Sequence, residues 1–268
     1  MKNIVFIPYI KRTENQTRGS SIGHANRHSG YDYGIASWKS WCKKNDCEIY
    51  IMEDLLCPES EMLITWQRWQ VLNILEHNGI EYDKVLVVDA DSIVHPDCPN
   101  FFEIADDRFT TVLTDGDYEW VNRAINGYSK MFFNKEYCIP SFEFYQTGFV
   151  IINKKHKEFF DKVFDFYETN KQKIIQSYDV LLTGSDITLM NCMRKEFDVD
   201  MNLLPREFSL MDLYRKNLFY VDERCWWEDD LTNLYNSGWI YQFNAIPQNP
   251  MNRDRNYWMK RIYEELYK

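Results

Sequence analysis

The stretch that decides the fold is KVLVVDADSIVHPD, residues 84–97. A continuous apolar run at 85–88 leads directly into two acids, Asp89 and Asp91. Such a run is typical of a strand that is buried on both faces, as in a parallel sheet. Two carboxylates at the end of a buried strand need a cation, a basic side chain or water to balance their charge.

Strand and helix patterns alternate along the first half of the chain. Apolar runs predict strands at 4–7, 47–52, 85–88, 110–113 and 147–153, and apolar residues at helical spacing predict helices at 33–44, 65–79 and from 157 to about 167. In TWQRWQVLNILEHNG (65–79), Thr65 is expected to cap the helix start and Gly79 to end it. The alternation predicts an α/β fold with a mostly parallel sheet flanked by helices, and the whole chain, 1–268, as one domain.

Composition excludes several classes of protein. A formal net charge of −10 argues against binding of nucleic acid, which relies on clustered Lys and Arg. The seven cysteines are spread out without a C-x-x-C pair, so they predict reduced thiols and neither a disulfide framework nor a zinc site. The first apolar run is too short for a signal peptide and no stretch approaches the length of a membrane span, so we expect a cytoplasmic protein.

The two acids have a chemical interpretation and a structural one. Ligands of such sheets bind beyond the carboxyl ends of the strands, where Asp89 and Asp91 stand. Carboxylates two residues apart on an extended chain share one face, and their hard oxygens favour magnesium or manganese, which keep coordination positions for phosphates. Alternatively the acids only cap a turn and the next helix. The pair alone leaves both interpretations open.

Context comes from a resemblance to glycosyltransferases of the GT-A fold. YDKVLVVDADSIV (82–94) resembles the DxD strand of that superfamily, particularly that of the retaining glycogenin and galactosyltransferase-like family, in which a preceding helix carries an arginine. The arginine here is Arg68. The resemblance implies that Arg68 contacts a sugar nucleotide, that Asp89 contacts ribose or sugar beside the metal, and that Asp91 binds manganese.

Two downstream segments extend the resemblance. FYQTGFVIINKKH (144–156) is similar to a family strand that faces the donor sugar, which implies donor contacts by Gln146, Thr147 and Gly148. GSDITLMN (184–191) is similar to a family segment whose retained acid is Asp186. The implied fold is the Rossmann-like GT-A fold, with a nucleotide-binding half at 1–110 and a donor-sugar and acceptor half at 111–268 that includes an aromatic-rich C-terminal acceptor region.

The sequence departs from the family pattern at two places. YQFNA (241–245) puts Gln242 where the family often has a histidine that ligates the metal, and an amide oxygen is a weaker ligand for manganese than imidazole. Gly184 and Ser185 stand where the family has Asp-Gln. Gln242 is therefore expected either as the third, weaker metal ligand or without a metal role, and retention or inversion at the sugar stays open.

The function that the resemblance implies is transfer of a sugar from a nucleotide-diphosphate sugar, with UDP favoured, to a carbohydrate or other hydroxyl-bearing acceptor. A Mn²⁺ or Mg²⁺ ion and Arg68 would stabilise charge on the leaving diphosphate. Asp186 is the candidate for the acceptor's base or for the group on the opposite face of the sugar. Arg68 and Asp186 are therefore the predicted catalytic residues.

A second acidic pair, Asp115 and Asp117, rivals the first as a metal site. The strand before it is less apolar and Gly116 indicates a turn, so Asp115 is instead expected to contact a sugar hydroxyl or simply to lie in a solvated turn. Five histidines are expected at ordinary surface or core positions: His24, His28, His77, His95 and His156. Of these, His95 is the one to test as a ligand. Four aromatic residues are expected either in the core or beside an acceptor: Trp226, Trp227, Trp239 and Tyr241.

Two other functions remain as alternatives. A non-catalytic nucleotide-sugar-binding protein on the same fold would explain the Gln242 and Gly184-Ser185 departures. A phosphatase of the haloacid dehalogenase type also uses an apolar-strand DxD segment, but on its first strand, whereas Asp89 follows the third.

Overall fold

The computed structural model describes residues 1–10, 30–211, 213, 237–244, 246 and 254–268. Its strands are β1 (Lys2–Pro8), β2 (Glu48–Met52), β3 (Tyr82–Val88), β4 (Ser92–Val94), β5 (Phe109–Leu113), β6 (Tyr145–Asn153), β7 (Met201–Leu204) and β8 (Ile240–Gln242). Six of them form one sheet in the order β2-β1-β3-β6-β5-β7, and β4 pairs with β8 separately. Only β6 runs antiparallel to its neighbours in the larger sheet, so the prediction of a mostly parallel sheet is confirmed.

Helices cover both faces of this sheet. They are α1 (Tyr31–Lys44), α2 (Ile64–Gln67), α3 (Val71–His77), α4 (Phe101–Ile104), α5 (Tyr118–Phe133), α6 (Lys157–Leu181), α7 (Ser185–Glu196) and α8 (Arg255–Leu266), and a 3₁₀ turn at Arg68–Gln70 joins α2 to α3. One core cluster packs α2, α3, α6 and α7 against the sheet, and another packs α1 and α4 against the opposite face. Among the described helices, none combines the length and apolarity that crossing a bilayer requires.

The reversed direction of β6 brings distant parts of the chain together. In the antiparallel ladder Val88 at the end of β3 pairs with Phe149 of β6, so Asp89 comes beside Gly148. The carboxyl end of β3 and the amino end of β6 therefore share one edge of the sheet. The segments 84–97 and 144–156, which the sequence analysis linked only by resemblance, meet at this edge.

The turn after β3 is held by α1. A Cβ atom on Gly34 would lie 2.4 Å from the Ala90 carbonyl oxygen, so only glycine allows α1 to approach this closely. The indole of Trp38 donates to Ser92 Oγ at 3.0 Å, and Ser92 Oγ donates to the Asp89 carbonyl at 2.6 Å. Because these bonds are buried, they hold the backbone that carries the acidic pair.

Some local expectations were wrong. The helix begins at Ile64 with Leu63 as its cap, so Thr65 lies inside the first turn. The reason is tertiary, since the backbone N–H of Leu63 donates to Tyr167 Oη at 3.0 Å and packing sets where the helix starts. The helix predicted from 157 to about 167 continues to Leu181, and α5, α7 and α8 were not predicted. Gly79 does end α3, with φ of 64° and the paired backbone bonds of a Schellman motif.

Asn191 joins α7 to the first residue of β6. Its amide nitrogen donates to the Tyr145 carbonyl at 2.8 Å, and its amide oxygen accepts from the Tyr145 N–H at 2.9 Å. We expect Asn191→Leu to lower the free energy of unfolding by roughly 2 to 3 kcal/mol, because it leaves buried backbone groups without partners. Urea denaturation measures the loss. Asn78→Ala, at an exposed helix end, is the matched control and should change stability by less than about 1 kcal/mol; similar losses in the two variants would contradict the prediction.

Candidate active site

A buried ionic cluster lies where β3, β6, α7 and the 3₁₀ turn meet. Arg68 donates through Nη1 to Asp89 Oδ1 at 2.5 Å, and through Nη2 to Asp186 Oδ2 at 2.6 Å and Thr147 Oγ1 at 2.9 Å. The Arg68 side chain is only 8% exposed. Three residues that the sequence predicted in one site with Arg68 thus each contact Arg68 directly.

Charges in this cluster shift the protonation equilibria of its members. Burial raises the pKa of Asp89 to about 6, with Arg68 opposing the rise and Asp91 and Asp186 adding to it. Burial lowers the pKa of Arg68, but the charges of Asp89 and Asp186 outweigh this effect and the net shift is upward. Arg68 is therefore held as a cation between two acids.

Asp91 has a basic partner of its own. Its Oδ2 lies 3.4 Å from Nη1 of Arg255, near the start of α8, and this nitrogen also donates to Tyr31 Oη at 2.6 Å. The acidic pair does not lie on an extended strand as expected, since β3 ends at Val88 and Ala90 and Asp91 form a turn. The two acids consequently face different arginines, which are the groups that balance their charge in this structure.

The sum of these charges is negative. Three carboxylates (Asp89, Asp91 and Asp186) and two guanidinium groups (Arg68 and Arg255) leave one negative charge in the cluster. A buried or half-buried site with excess negative charge favours cations.

Gln242 lies beside the acidic pair with a fixed orientation. It is in β8 opposite Ser92, and its amide nitrogen donates to Gln146 Oε1 at 2.5 Å and to Ser209 Oγ at 2.8 Å. These two bonds use both N–H groups of the amide. Both polar atoms of the amide lie against Gly148, since a Cβ atom added there would be 2.4 Å from Oε1 and 2.6 Å from Nε2.

Gly148 packs directly against the side chains of Gln242 and Asp89. A Cβ atom at Gly148 would lie 2.4 Å from Gln242 Oε1 and 2.7 Å from Asp89 Oδ2. Carboxylate and amide oxygens are the donors that Mg²⁺ and Mn²⁺ accept, so Asp89, Asp91 and Gln242 have the chemistry to hold such an ion. In the part of the chain that the structure describes, no group of three His, Cys, Asp or Glu residues is arranged to hold a metal. An ion here would depend on the amide and on oxygens of a ligand.

The close approach at Gly148 leads to a prediction. We expect Gly148→Ala to abolish binding of manganese and nucleotide at this site and to lower the free energy of unfolding by about 1 to 3 kcal/mol, because the methyl group would overlap Gln242 and Asp89. Calorimetric titration and urea denaturation measure the two effects. Gly79→Ala, where φ is positive but no atom lies within 4 Å of the added carbon, should lose stability only. Unchanged binding in Gly148→Ala would contradict the assignment.

The other predicted residues have structural contacts. Asp115 is buried and its Oδ1 accepts from the Met211 N–H at 2.9 Å, and Asp117 caps α5 by accepting from the Trp120 N–H. The two acids of this rival pair thus accept hydrogen bonds from different backbone N–H groups. Gln146 is fully buried and its side chain holds Gln242 and Ser209.

The predicted histidines and aromatic residues that the structure describes also have structural contacts. His95 accepts from the Asp97 N–H through Nδ1, and His156 is a buried helix-capping residue. Tyr241 is fully buried in the core, and Trp239 is half-buried with its ring against His95. His77 is exposed at the end of α3, and the predictions at His24, His28, Trp226 and Trp227 lie outside the described residues.

Sequence reasoning missed two members of the site, Arg255 and Ser209. Asp254 caps α8 by accepting from the Tyr257 N–H, and Trp258, Met259 and Ile262 are its buried residues. This capped amphipathic pattern could have revealed the helix. No signal in the sequence indicates that its first residue meets Asp91.

Comparison with known proteins shows the same fold in glycosyltransferases. A glycosyltransferase involved in the glycosylation of the major capsid of PBCV-1 is similar, with a TM-score of 0.55 and 9% identity, over 96% of this chain and 98% of that one. An active-site mutant of LgtC has a TM-score of 0.53 and 14% identity, over 99% and 95%. The galactosyltransferase LgtC in complex with donor and acceptor sugar analogues has 0.51 and 15%, over 98% and 94%. No protein-family model and no curated protein matches the sequence.

These similarities identify the class of fold. The chain has the α/β fold of GT-A glycosyltransferases over nearly its whole length, which confirms the fold expected from the resemblance. At identities of 9 to 15% the similarity concerns the fold, and functional conclusions depend on the site.

Proposed function

We propose that the protein is a glycosyltransferase that moves a sugar from a nucleotide-diphosphate sugar to an acceptor hydroxyl, with a divalent cation held by Asp89, Asp91 and Gln242. The observation that carries the proposal is the cluster at the end of β3, where these residues converge with Arg68, on the fold of known sugar transferases. The preference for UDP as the nucleotide and for Mn²⁺ as the ion comes from the family resemblance.

The charges of the site suit the proposed donor. In glycosyl transfer, negative charge grows on the departing diphosphate, and catalysis requires positive charge placed there in advance. A bound Mn²⁺ or Mg²⁺ would supply that charge. The acids and arginines together carry a net negative charge, which would attract the cation, and the bound cation would in turn attract the diphosphate.

Arg68 and Asp186 have separate tasks in this proposal. Arg68 is held by two acids and Thr147, and its bond to Asp89 Oδ1 keeps Asp89 Oδ2 beside Gly148. Asp186 is buried in the first turn of α7, where its Oδ2 accepts from Arg68 Nη2. Besides holding Arg68, Asp186 would face the transferred sugar. There it would act either as the base for the acceptor hydroxyl or as the group on the opposite face of the sugar.

A ligand panel tests the proposal. Thermal-shift and hydrolysis assays with UDP- and GDP-sugars, each with and without MnCl₂, should show stabilisation that needs metal and nucleotide together, and slow cleavage of one donor. Stabilisation without cleavage of any donor, even with simple sugar acceptors present, would favour a non-catalytic binding protein. Release of phosphate from simple phosphomonoesters without nucleotide preference would favour the phosphatase alternative.

A further inference from the structure

Three buried polar side chains, Gln146, Ser209 and Gln242, form one hydrogen-bonded network beside the acidic pair, called here the glutamine–serine network. They come from β6, from the segment after a 3₁₀ turn at Arg206–Phe208, and from β8. Their exposed fractions are 0%, 0% and 1%. Gln242 has a task in the proposed function as a ligand of the cation, whereas Gln146 and Ser209 have none.

A backbone carbonyl sets the direction of the hydrogen bonds in this network. The amide nitrogen of Gln146 donates to the Ser209 carbonyl oxygen at 2.6 Å. Because a carbonyl oxygen can only accept, the other end of this amide, Oε1, is the atom that faces Gln242. It accepts from Gln242 Nε2 at 2.5 Å and from Ser209 Oγ at 3.2 Å. The reversed Gln146 amide would bring two acceptors together on one side and two amide nitrogens together on the other.

The same argument fixes the amide of Gln242. Its nitrogen donates to Gln146 Oε1 and, at 2.8 Å, to Ser209 Oγ, so both of its N–H groups are used. Among the residues that the structure describes, none donates a hydrogen bond to Gln242 Oε1. This oxygen and Asp89 Oδ2 both lie against Gly148. The network therefore leaves an acceptor, and not a donor, available on the side of Asp89.

Backbone contacts hold the parts of the chain that carry the network. The N–H of Leu210 donates to the Ile240 carbonyl and the N–H of Gln242 donates to the Leu210 carbonyl, both at 2.8 Å, so Ser209 is tied to the edge of β8. Gln146 lies in β6, which pairs with strands on both sides. A ligand side chain that is supported from rigid elements in this way is held in one geometry before its ligand arrives.

We propose that Gln146 and Ser209 are positioning residues that orient the Gln242 amide so that its oxygen faces the cation. The inference rests on the proposed function, in which Asp89, Asp91 and Gln242 hold a divalent ion. Hard cations bind an amide through its oxygen, whereas the reversed amide would direct its N–H groups at the ion. Gln146 and Ser209 exclude that reversed orientation, since it would leave two buried acceptors without donors.

A double-mutant cycle tests this role. Calorimetric titration with MnCl₂ in the presence of UDP measures the metal affinity of Ser209→Ala, Gln242→Ala and the double variant. Ser209→Ala should weaken Mn²⁺ binding about 10-fold, as loss of an outer partner does at metal sites. In the Gln242→Ala background the same change should alter the affinity less than about 2-fold, because no amide is left to orient.

A serine far from the site in sequence and contacts provides the matched control. Ser177 in α6 is also fully buried, and its hydroxyl donates to the Ile174 carbonyl at 2.7 Å. Ser177→Ala should leave the Mn²⁺ affinity unchanged. A loss in Ser177→Ala as large as that in Ser209→Ala would show that any buried serine affects the site through stability, which would overturn the assignment.

The orientation of the amide can also be measured without metal. In ¹H–¹⁵N spectra the Gln242 amide pair is the one that disappears in Gln242→Ala, and in the wild-type protein its two protons should exchange slowly with solvent because both donate buried hydrogen bonds. Gln146→Met keeps the buried stem and removes one acceptor, so it should speed exchange of this amide about 10-fold. It should also weaken Mn²⁺ binding at least as much as Ser209→Ala.

The outcomes separate this inference from the proposed function. Wild-type protein that binds no Mn²⁺ in the presence of UDP would contradict the proposed cation site itself. Wild-type protein that binds Mn²⁺, with equal affinity in Ser209→Ala or with an equal loss in the Gln242→Ala background, would overturn this inference alone. A Gln242 amide that exchanges freely in the wild-type protein would also overturn it, and that measurement needs no ion, nucleotide or sugar.

Discussion

Arg68→Met is expected to lower the free energy of unfolding by about 3 to 5 kcal/mol, because methionine keeps the apolar stem while the buried Asp186 and the half-buried Asp89 lose the cation that they share. Asp89 and Asp186 both contact Arg68 within 2.6 Å, and the Asp186 side chain is 6% exposed. Urea denaturation at neutral pH measures the change.

Two further variants make the Arg68 prediction sharper. Arg123→Met removes an arginine whose partner, Glu119, is on the surface, and it should change stability by only about 0.5 kcal/mol. Arg68→Met combined with Asp186→Asn should be less destabilised than the sum of the two single changes, since one uncompensated acid is removed. A loss below about 1 kcal/mol in Arg68→Met would show that the cluster is not an ionic unit.

Asp91→Ala is expected to remove the manganese-dependent stabilisation by nucleotide and to lower donor hydrolysis at least about 100-fold. The reason is that loss of outer partners alone costs metal sites about 10- to 100-fold, and Asp91 is proposed as a direct ligand. Thermal shift with UDP and MnCl₂, followed by hydrolysis kinetics with the donor that the panel identifies, measures both effects.

Asp117→Ala is the matched control for Asp91→Ala. Asp117 belongs to the rival acidic pair but caps α5, so its loss should cost about 1 kcal/mol of stability and leave the manganese response intact. The reverse pattern, with the response lost in Asp117→Ala and kept in Asp91→Ala, would move the metal site to the second pair.

Much of the sheet was predictable because local sequence carries its signal. Apolar runs such as 85–88 can be buried on both faces only in a covered strand, and the structure has strands at all five predicted places. Helix boundaries were less predictable. Thr65 has a suitable side chain for a cap, yet the hydrogen bond between Leu63 and Tyr167, 104 residues apart, accompanies an earlier start.

The sequence predicted which residues belong to the site better than it predicted which of them contact one another. Arg68, Asp89, Thr147, Gly148, Asp186 and Gln242 were singled out from five short segments, and all of them converge in the structure. Gln146 was expected to face a donor sugar, whereas its side chain supports Gln242. Arg255 was missed because its contact with Asp91 spans most of the chain.

The sequence by itself determined the α/β alternation, the buried strand that ends in two acids and the residue types available for a cation. These depend on the period of apolar residues and on side-chain chemistry, which are local properties. Only the tertiary structure decided that β6 runs antiparallel, that the Gln242 amide lies against Gly148, and that Arg68 and Arg255 each balance one member of the acidic pair. Strand direction and long-range pairing arise from packing between distant segments, and no pattern within a short window specifies them.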